Sequence, residues 1–410
     1  AGLSAALSLS GKERGVTVHE AGPAAGGRCR SYFDKELGSR IDNGNHLLLS
    51  GNRSARAYIA EIGAADRFQI ANQAIFPFLD LKTGERWTVR PNKGPIPWWI
   101  LSADRRVPET RMSDYIGMAR IVGIRDETAV ADSMRRGRLY WRLLEPLAVA
   151  ALNTKSQEGL ARLLGAVMRE TLLRGGGACL PMLPKEGLSE ALIDPAVATL
   201  QARGAEVRFN SRIAGLTIEG GRVTTLRGPD GPIALDPGDR VVLAVPPWVA
   251  TDLLPGLTAP GAFEAILNIH FMHAASPGGA FGAAGFIGLT SGTAEWVFVK
   301  PGHVSVTISA ANGMVDEPAR AIASLVWPNV ADALGLDPIA KQAMPAYRVV
   351  KEKRATFAAT AEQEVRRPRA RTDLAANLTL AGDWTATGLP ATIEGAIRSG
   401  RTAAAALLAL

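Results

Sequence analysis

The sequence predicts an α/β protein whose parallel-sheet domain is discontinuous, assembled from both ends of the 410-residue chain and from its middle. Three observations predict this. Near the start, Val16-Thr17-Val18-His19-Glu20-Ala21 alternates apolar and polar residues, as a short strand does, and ends in an acid. Near the end, Leu378-Thr379-Leu380-Ala381 is a short apolar strand closed by Gly382-Asp383 and followed, after Pro390, by a helix. Between them Val241-Val242-Leu243-Ala244-Val245 is a continuous apolar run stopped by Pro246-Pro247, as in a strand buried on both faces of a parallel sheet.

The elements follow in order. Ala1-Gly2-Leu3-Ser4-Ala5-Ala6-Leu7 reads as an alanine-rich helix leading to the strand that ends at Glu20. This is the second half of a Rossmann-like βαβ unit, in which a strand and a G-x-G-x-x-G turn come before the helix. Only the last of those glycines is among these residues, as Gly2, where it allows close helix–strand packing. The expectation is therefore a domain lacking its first strand. Glu20 lies 18 positions beyond Gly2, near the spacing of about 20 for an acid that binds a ribose 2′-hydroxyl. In Gly26-Gly27-Arg28-Cys29-Arg30, the glycines let backbone approach a phosphate and the two arginines suit a pyrophosphate. Ile41-Asp42-Asn43-Gly44-Asn45-His46 adds a second tight, polar turn.

Residues from about Ile75 to Pro97 read as strands with a Thr83-Gly84 turn. Arg111 to Leu173 reads as helical, with apolar positions at helical spacing around Ile116, Met118, Ile121 and Val122. Leu188 to Arg203 is an amphipathic helix. Val207-Arg208-Phe209 and Ile213 to Ile218 are strands, and Arg222 to Arg227 closes a hairpin through Gly220-Gly221. Residues 262–347 mix strands and helices. The resulting division is 1–74, 187–260 and 371–410 for the discontinuous domain, and 75–186 and 261–370 for an α+β substrate domain.

At the C-terminal segment, a helix N-terminus carries partial positive charge and unpaired N–H groups. Aimed at a flavin pyrimidine, the helix beginning near Ile393 would stabilise the anionic reduced ring. Asp383 is placed to accept hydrogen bonds from ribityl or ribose hydroxyls. The cofactor-site candidates are Gly2, Glu20, Gly26, Gly27, Arg28, Arg30, Gly44, Asn45, Ile213, Gly382, Asp383, Pro390, Thr392 and Ile393. Each motif also has a plainer reading: Gly2 as any small helix residue, Glu20 as a solvated strand end, Asp383 as a helix cap.

With these segments the chain resembles the FAD-dependent amine oxidase and phytoene desaturase superfamily, and within it the hydroxysqualene dehydroxylases. The resemblance rests on Gly26 to Ser31, Arg40 to Asn52, Pro95-Ile96-Pro97-Trp98-Trp99, Glu145-Pro146-Leu147, Leu183 to Ser189, Arg348 to Phe357 and Ala381 to Gly400. It implies FAD as cofactor, a long isoprenoid substrate, and reductive removal of an allylic hydroxyl to give squalene in hopanoid biosynthesis. Such a reaction needs a hydride from reduced flavin, a proton for the departing oxygen and shelter for a developing allylic cation. Candidate acids are His46, Glu145, Lys185 and Lys351, with His46 preferred because its turn should lie near the flavin. Each could instead be structural: His46 bonded to backbone, Glu145 a helix cap, Lys185 on a surface loop, Lys351 paired with Glu352 or Glu362.

A hydrophobic content of 47% and a charged content of 21% describe a globular protein. The net charge of +7 comes largely from arginine clusters such as Arg135-Arg136-Gly137-Arg138 and 366–371. No zinc-finger spacing or RNA-binding strand accompanies it, so nucleic acid is not the expected partner. Anionic lipid headgroups fit an apolar substrate better. Trp98 and Trp99 read either as a membrane-facing aromatic patch or as packed core. The two cysteines, Cys29 and Cys179, make no disulfide framework and no metal-ligand spacing. The expectation is a cytoplasmic protein, peripheral at the inner face of the membrane at most, without a metal. Competing functions are oxidative isoprenoid desaturation, amine oxidation, and a flavin-free lipid-binding fragment.

Overall fold

The computed structural model describes residues 1–11 and 14–409. The expected parallel strands form two separate pairs. Thr17–His19 pairs with Glu206–Arg208, and Val241–Leu243 pairs with Leu378–Leu380. No ladder joins the two pairs among the described residues. The helices Gly2–Leu9, Asp194–Ala202 and Ile393–Leu408 pack beside them. Their apolar faces meet in a core that includes Leu7, Ile59, Leu192, Leu200 and Ile397. A Cβ on Gly400 would lie 2.3 Å from the Ala1 carbonyl oxygen, so the first and last helices touch backbone to backbone there.

The hairpin of Gly215–Glu219 and Arg222–Gly228 turns at Gly220 and Gly221, with φ of 55° and 72°. Two positive φ angles in a two-residue turn match the right-handed twist of the flanking strands and favour glycine. The strand starts at Gly215, two residues later than the sequence reading, and leaves Ile213 in the loop before it. Likewise the strand Pro181–Pro184 pairs with Leu48–Leu49 and Phe68–Ile70. That ladder ties residues assigned by sequence to the substrate domain to strands of the other domain.

A seven-stranded sheet dominates the second half. Its order is Tyr347–Phe357, Phe263–Phe271, His303–Ile308, Trp296–Lys300, Phe286–Thr290, Phe76–Asp80, Arg86–Val89. Side chains alternate between its faces. Leu267, Ile269, Phe271, Val304 and Val306 pack with Val326, Trp327 and Val330 of the helix Ala319–Leu334. The intervening residues Asn268, Ser305 and Thr307 face the other way. Trp296 and Phe298 also face that side, and join a core with Leu144, Leu152 and Leu164 from the helical segment. In that segment the helix Met112–Arg120 buries Tyr115 and Met118 but leaves Ile116 exposed, so Ile116 is not on the inner stripe where the sequence reading put it. No helix among the described residues is long and apolar enough to cross a membrane.

Candidate functional site

A cavity of about 1930 Å³ lies between the parallel strands and the cavity-facing side of the large sheet. One end is lined by Gly2, Glu20, Gly26, Gly27, Arg28, Arg30, Ile213, Gly382, Asp383, Thr392 and Ile393, and the middle by Gly44, Asn45 and His46. Of the proposed cofactor residues only Pro390 is outside the wall. It is buried, and its carbonyl accepts from the Thr392 hydroxyl at 3.3 Å.

The glycines sit where a side chain would not. Gly26 has φ of +112°, and a Cβ there would lie 2.5 Å from the Cys29 carbonyl oxygen. Gly27, at φ +58°, meets nothing within 4 Å and leaves its backbone open to the cavity. A Cβ on Gly2 would come within 3.2 Å of Ala244 Cβ, so the first helix packs closely on the strand Val241–Leu243. Glu20 accepts the Gly22 N–H at 2.8 Å, which fixes its carboxylate at the end of its strand.

Arg28 lines the wall with part of its guanidinium already engaged. It donates to Asp383 Oδ1 at 2.7 Å and to the Ala355 carbonyl. The pair joins the glycine turn, the C-terminal segment and the large sheet. Arg30 is exposed at the same wall and forms no ion pair among the described residues, so its whole guanidinium can meet an anion. Asp383 is backed by Arg367, which donates to the Asp383 and Thr385 carbonyls and the Thr387 hydroxyl. Thr392 caps its helix by accepting the Gly395 N–H at 3.0 Å. Glu394, one residue into that helix, accepts the Ser54 and Ala55 N–H groups and so caps a second helix, Arg53–Glu61.

The Asp42–His46 turn is moored to the sheet. Asn45 Nδ2 donates to Ser305 Oγ at 2.8 Å and Thr307 Oγ1 at 3.0 Å, while its Oδ1 is buried without a partner. Asp42 lies against Lys300 at 3.1 Å. Burial opposes its charge, but Lys300, the Leu188 N–H and the Ser31 hydroxyl outweigh that and hold its pKa below the usual range. Burial pushes His46 down to about 4, so the imidazole is neutral at neutral pH. Burial likewise lowers His270, in the strand Phe263–Phe271, to about 3.

Three proposed acids lie elsewhere. Lys351 is paired across the sheet with Leu267, which faces the helix Ala319–Leu334. Directly paired residues share a face, so Lys351 points away from the cavity, and its ammonium meets the Glu317 carbonyl. Its neighbour Glu352 takes the cavity side and accepts from Asn43 Nδ2 at 3.3 Å. Glu145 stands at the start of the helix Glu145–Leu152, outside the wall, with Ser156 Oγ 3.4 Å from its carboxylate. Burial raises its pKa. Lys185 lines a separate surface depression with Asp66, Arg67 and Glu186.

Sequence reasoning missed Glu295 as well as Glu352. Ser309, part of the cavity wall, donates its N–H to Glu295 Oε2 at 2.8 Å, and its hydroxyl lies beside the same carboxyl. Burial raises Glu295 to about 7. Beyond this point the cavity becomes apolar, lined by Trp99, Met118, Leu144, Leu147, Leu164 and Met168.

The wall suits a dinucleotide flavin. It offers the first turns of two helices, an acid at a strand end, a glycine turn with open backbone and an unpaired arginine. Asn45 Oδ1 adds a buried acceptor with nothing to accept from. The model of the family described as flavin containing amine oxidoreductase matches residues 1–281 and 290–408. The chain is 44% identical over 408 residues to hydroxysqualene dehydroxylase of Zymomonas mobilis, covering 98% of this chain and 96% of that one. It is 45% identical over 410 residues to the enzyme of that name from Rhodopseudomonas palustris, covering 100% and 96%. Among solved structures, an oxidoreductase from Methanosarcina mazei superposes with a TM-score of 0.72 at 15% identity, over 97% of this chain and 96% of that one. Putrescine oxidase bound to putrescine gives 0.67 at 14% identity, over 100% and 96%.

Proposed function

The chain belongs to the flavin-containing amine oxidoreductase family, and we propose that its reaction is the reductive dehydroxylation of hydroxysqualene to squalene. The observation that carries the reading is the continuity of the cavity: a polar end fit for FAD opens into an apolar arm wide enough for a hydrocarbon. The near full-length relatives named for this activity support it.

In the reaction the allylic C–O bond breaks and a C–H bond forms. The oxygen leaves as water with one added proton, and the substrate gains two electrons. Reduced FAD supplies the hydride. The chain must hold the hydrocarbon, exclude water and deliver the proton. The apolar arm does the first two. For the proton, His46 is neutral and Lys351 faces away, whereas Glu295 retains a proton near neutral pH and reaches the cavity through the Ser309 hydroxyl. We assign the proton to Glu295: its carboxyl O–H would donate to Ser309 Oγ as the Ser309 hydroxyl passes its own proton to the departing oxygen. Glu352, on the same wall, supplies negative charge facing the developing cation.

The test is an anaerobic single turnover of the FAD-loaded, reduced protein with hydroxysqualene. Squalene should appear in step with flavin reoxidation. Flavin that stays reduced with hydroxysqualene, yet is reduced from the oxidised state by a saturated isoprenoid, would replace this reading with a desaturase.

A further inference from the structure

Large apolar side chains cluster on the surface at the far end of the cavity's apolar arm. Ile96, Trp98 and Leu101 are 56%, 61% and 51% exposed, and Met112 and Ile116 are 50% and 56% exposed. The first three belong to the loop and turn around Trp98–Leu101, the last two to the helix Met112–Arg120. Met112 and Ile116 are four apart and share a helix face. The two elements are in contact: Trp99 meets Tyr115 edge-on, with centroids 5.2 Å apart. The patch is held in place rather than loose. Tyr115 Oη accepts the Val107 N–H, Arg106 donates to the Ile100 carbonyl at 2.8 Å, and Asn92 Oδ1 accepts the Trp99 N–H.

Charge surrounds this patch unevenly. Between residues 90 and 125 there are seven Arg and Lys (90, 93, 105, 106, 111, 120, 125) and three Asp and Glu (104, 109, 114), a net of +4. Arg90, Lys93, Arg105, Arg111 and Arg120 form no ion pair among the described residues, while Glu109 is already paired with Arg138. The inner sides of the same segments line the cavity through Pro91, Trp99 and Met118. Contiguous exposed apolar side chains mark an interaction site. Tryptophan and aliphatic groups ringed by cations match the boundary between anionic headgroups and acyl chains.

We propose that this face docks on an anionic bilayer, with Trp98, Ile96, Leu101, Met112 and Ile116 at the headgroup–acyl boundary and the arginines on lipid anions. Resting on the proposed function, the docking would let a hydrocarbon substrate pass between bilayer and cavity with little exposure to water. The docking itself does not depend on that reading, and neither does its test.

The FAD-loaded protein is sedimented with vesicles of phosphatidylcholine alone and of phosphatidylcholine with phosphatidylglycerol. Binding is expected to the anionic vesicles only, and to weaken with salt. The double variant Trp98→Ser/Ile116→Ser, on exposed positions, should keep the wild-type melting temperature and lose at least about tenfold in partitioning. Arg105→Gln/Arg111→Gln should weaken binding to anionic vesicles as well. Absence of binding to either vesicle, or equal binding by the apolar double variant, overturns the proposal. So does a protein dimer that the apolar variant abolishes, because the face would then cover a second copy.

Discussion

Replacing Glu295 by Gln tests the proton assignment without relying on activity alone. Burial raises this carboxyl from 4.5 to about 7. An unfolded chain releases the proton near pH 4.5, while the folded chain keeps it until about pH 7. The folded state therefore binds more protons in that window, and its stability falls as pH rises through it. A shift of this size corresponds to at most ~3 kcal/mol, and partial exposure of the residue cuts this to about 1–2 kcal/mol. The amide can still accept the Ser309 N–H but does not ionise. Relative to wild type, Glu295→Gln should gain about 1–2 kcal/mol between pH 4.5 and 8, measured by urea unfolding. Comparing variant with wild type cancels the histidine contributions. The same variant should slow the anaerobic single turnover by about 10²-fold or more. Ser309→Ala should slow that step while leaving the pH slope of stability in place, since its N–H still reaches Glu295. A flat stability difference together with an unchanged turnover rate would refute both the raised pKa and the relay.

Two further outcomes are expected. Asp383→Ala leaves Arg28 without its carboxylate and removes a hydroxyl acceptor from the cofactor wall; it should weaken FAD retention by about tenfold or more, read by equilibrium dialysis, with unchanged affinity refuting the placement. His46 and His270 are buried neutral, at about 4 and about 3. The unfolded chain gains their protons first, so stability should fall as pH drops from about 6.5 toward 4, and His270→Asn should flatten part of that loss in urea melts.

The parts of the site made by backbone conformation were legible in the sequence. Gly26 and Gly27, Gly382 and the Thr392-capped helix stand where φ above zero, close approach or an N-terminus demands those residue types. What hid the rest was facing. Lys351 and Glu352 are adjacent in a strand, and which one reaches the cavity depends on register against Phe263–Phe271, where the pairing shifts between Glu264 and Ile266. A one-residue slip exchanges the faces, and no local pattern in Val349-Val350-Lys351-Glu352-Lys353 records it. Trp98 and Trp99 pose the same problem: one is 61% exposed and the other 4%. Glu295 carries no signal at all, because its raised pKa is a property of the packing around it. The arginines of the glycine turn show the limit of composition: both suit an anion, yet Arg28 is also paired with a residue 355 positions away.

That separation also distinguishes the two halves of the cavity. The cofactor end is closed by contacts between remote parts of the chain: Arg28 with Asp383, the Ser4 hydroxyl with the Ile397 carbonyl, Glu394 with the Ser54 and Ala55 N–H groups, and Gly400 against Ala1. Each closes a loop of hundreds of residues, whose entropic cost must be met before the contact contributes. The apolar arm draws most of its wall from residues 99–168, near one another in sequence. A ligand that binds only the closed arrangement stabilises it by RT ln(1 + [L]/Kd), ~4 kcal/mol at a thousandfold excess over Kd. FAD thus acts on the half of the molecule that loop closure strains most. The arm that takes the hydrocarbon rests on a core drawn mainly from residues 99–168, with Trp296 and Phe298 of the large sheet packed against it, so fewer of its contacts depend on closing the longest loops.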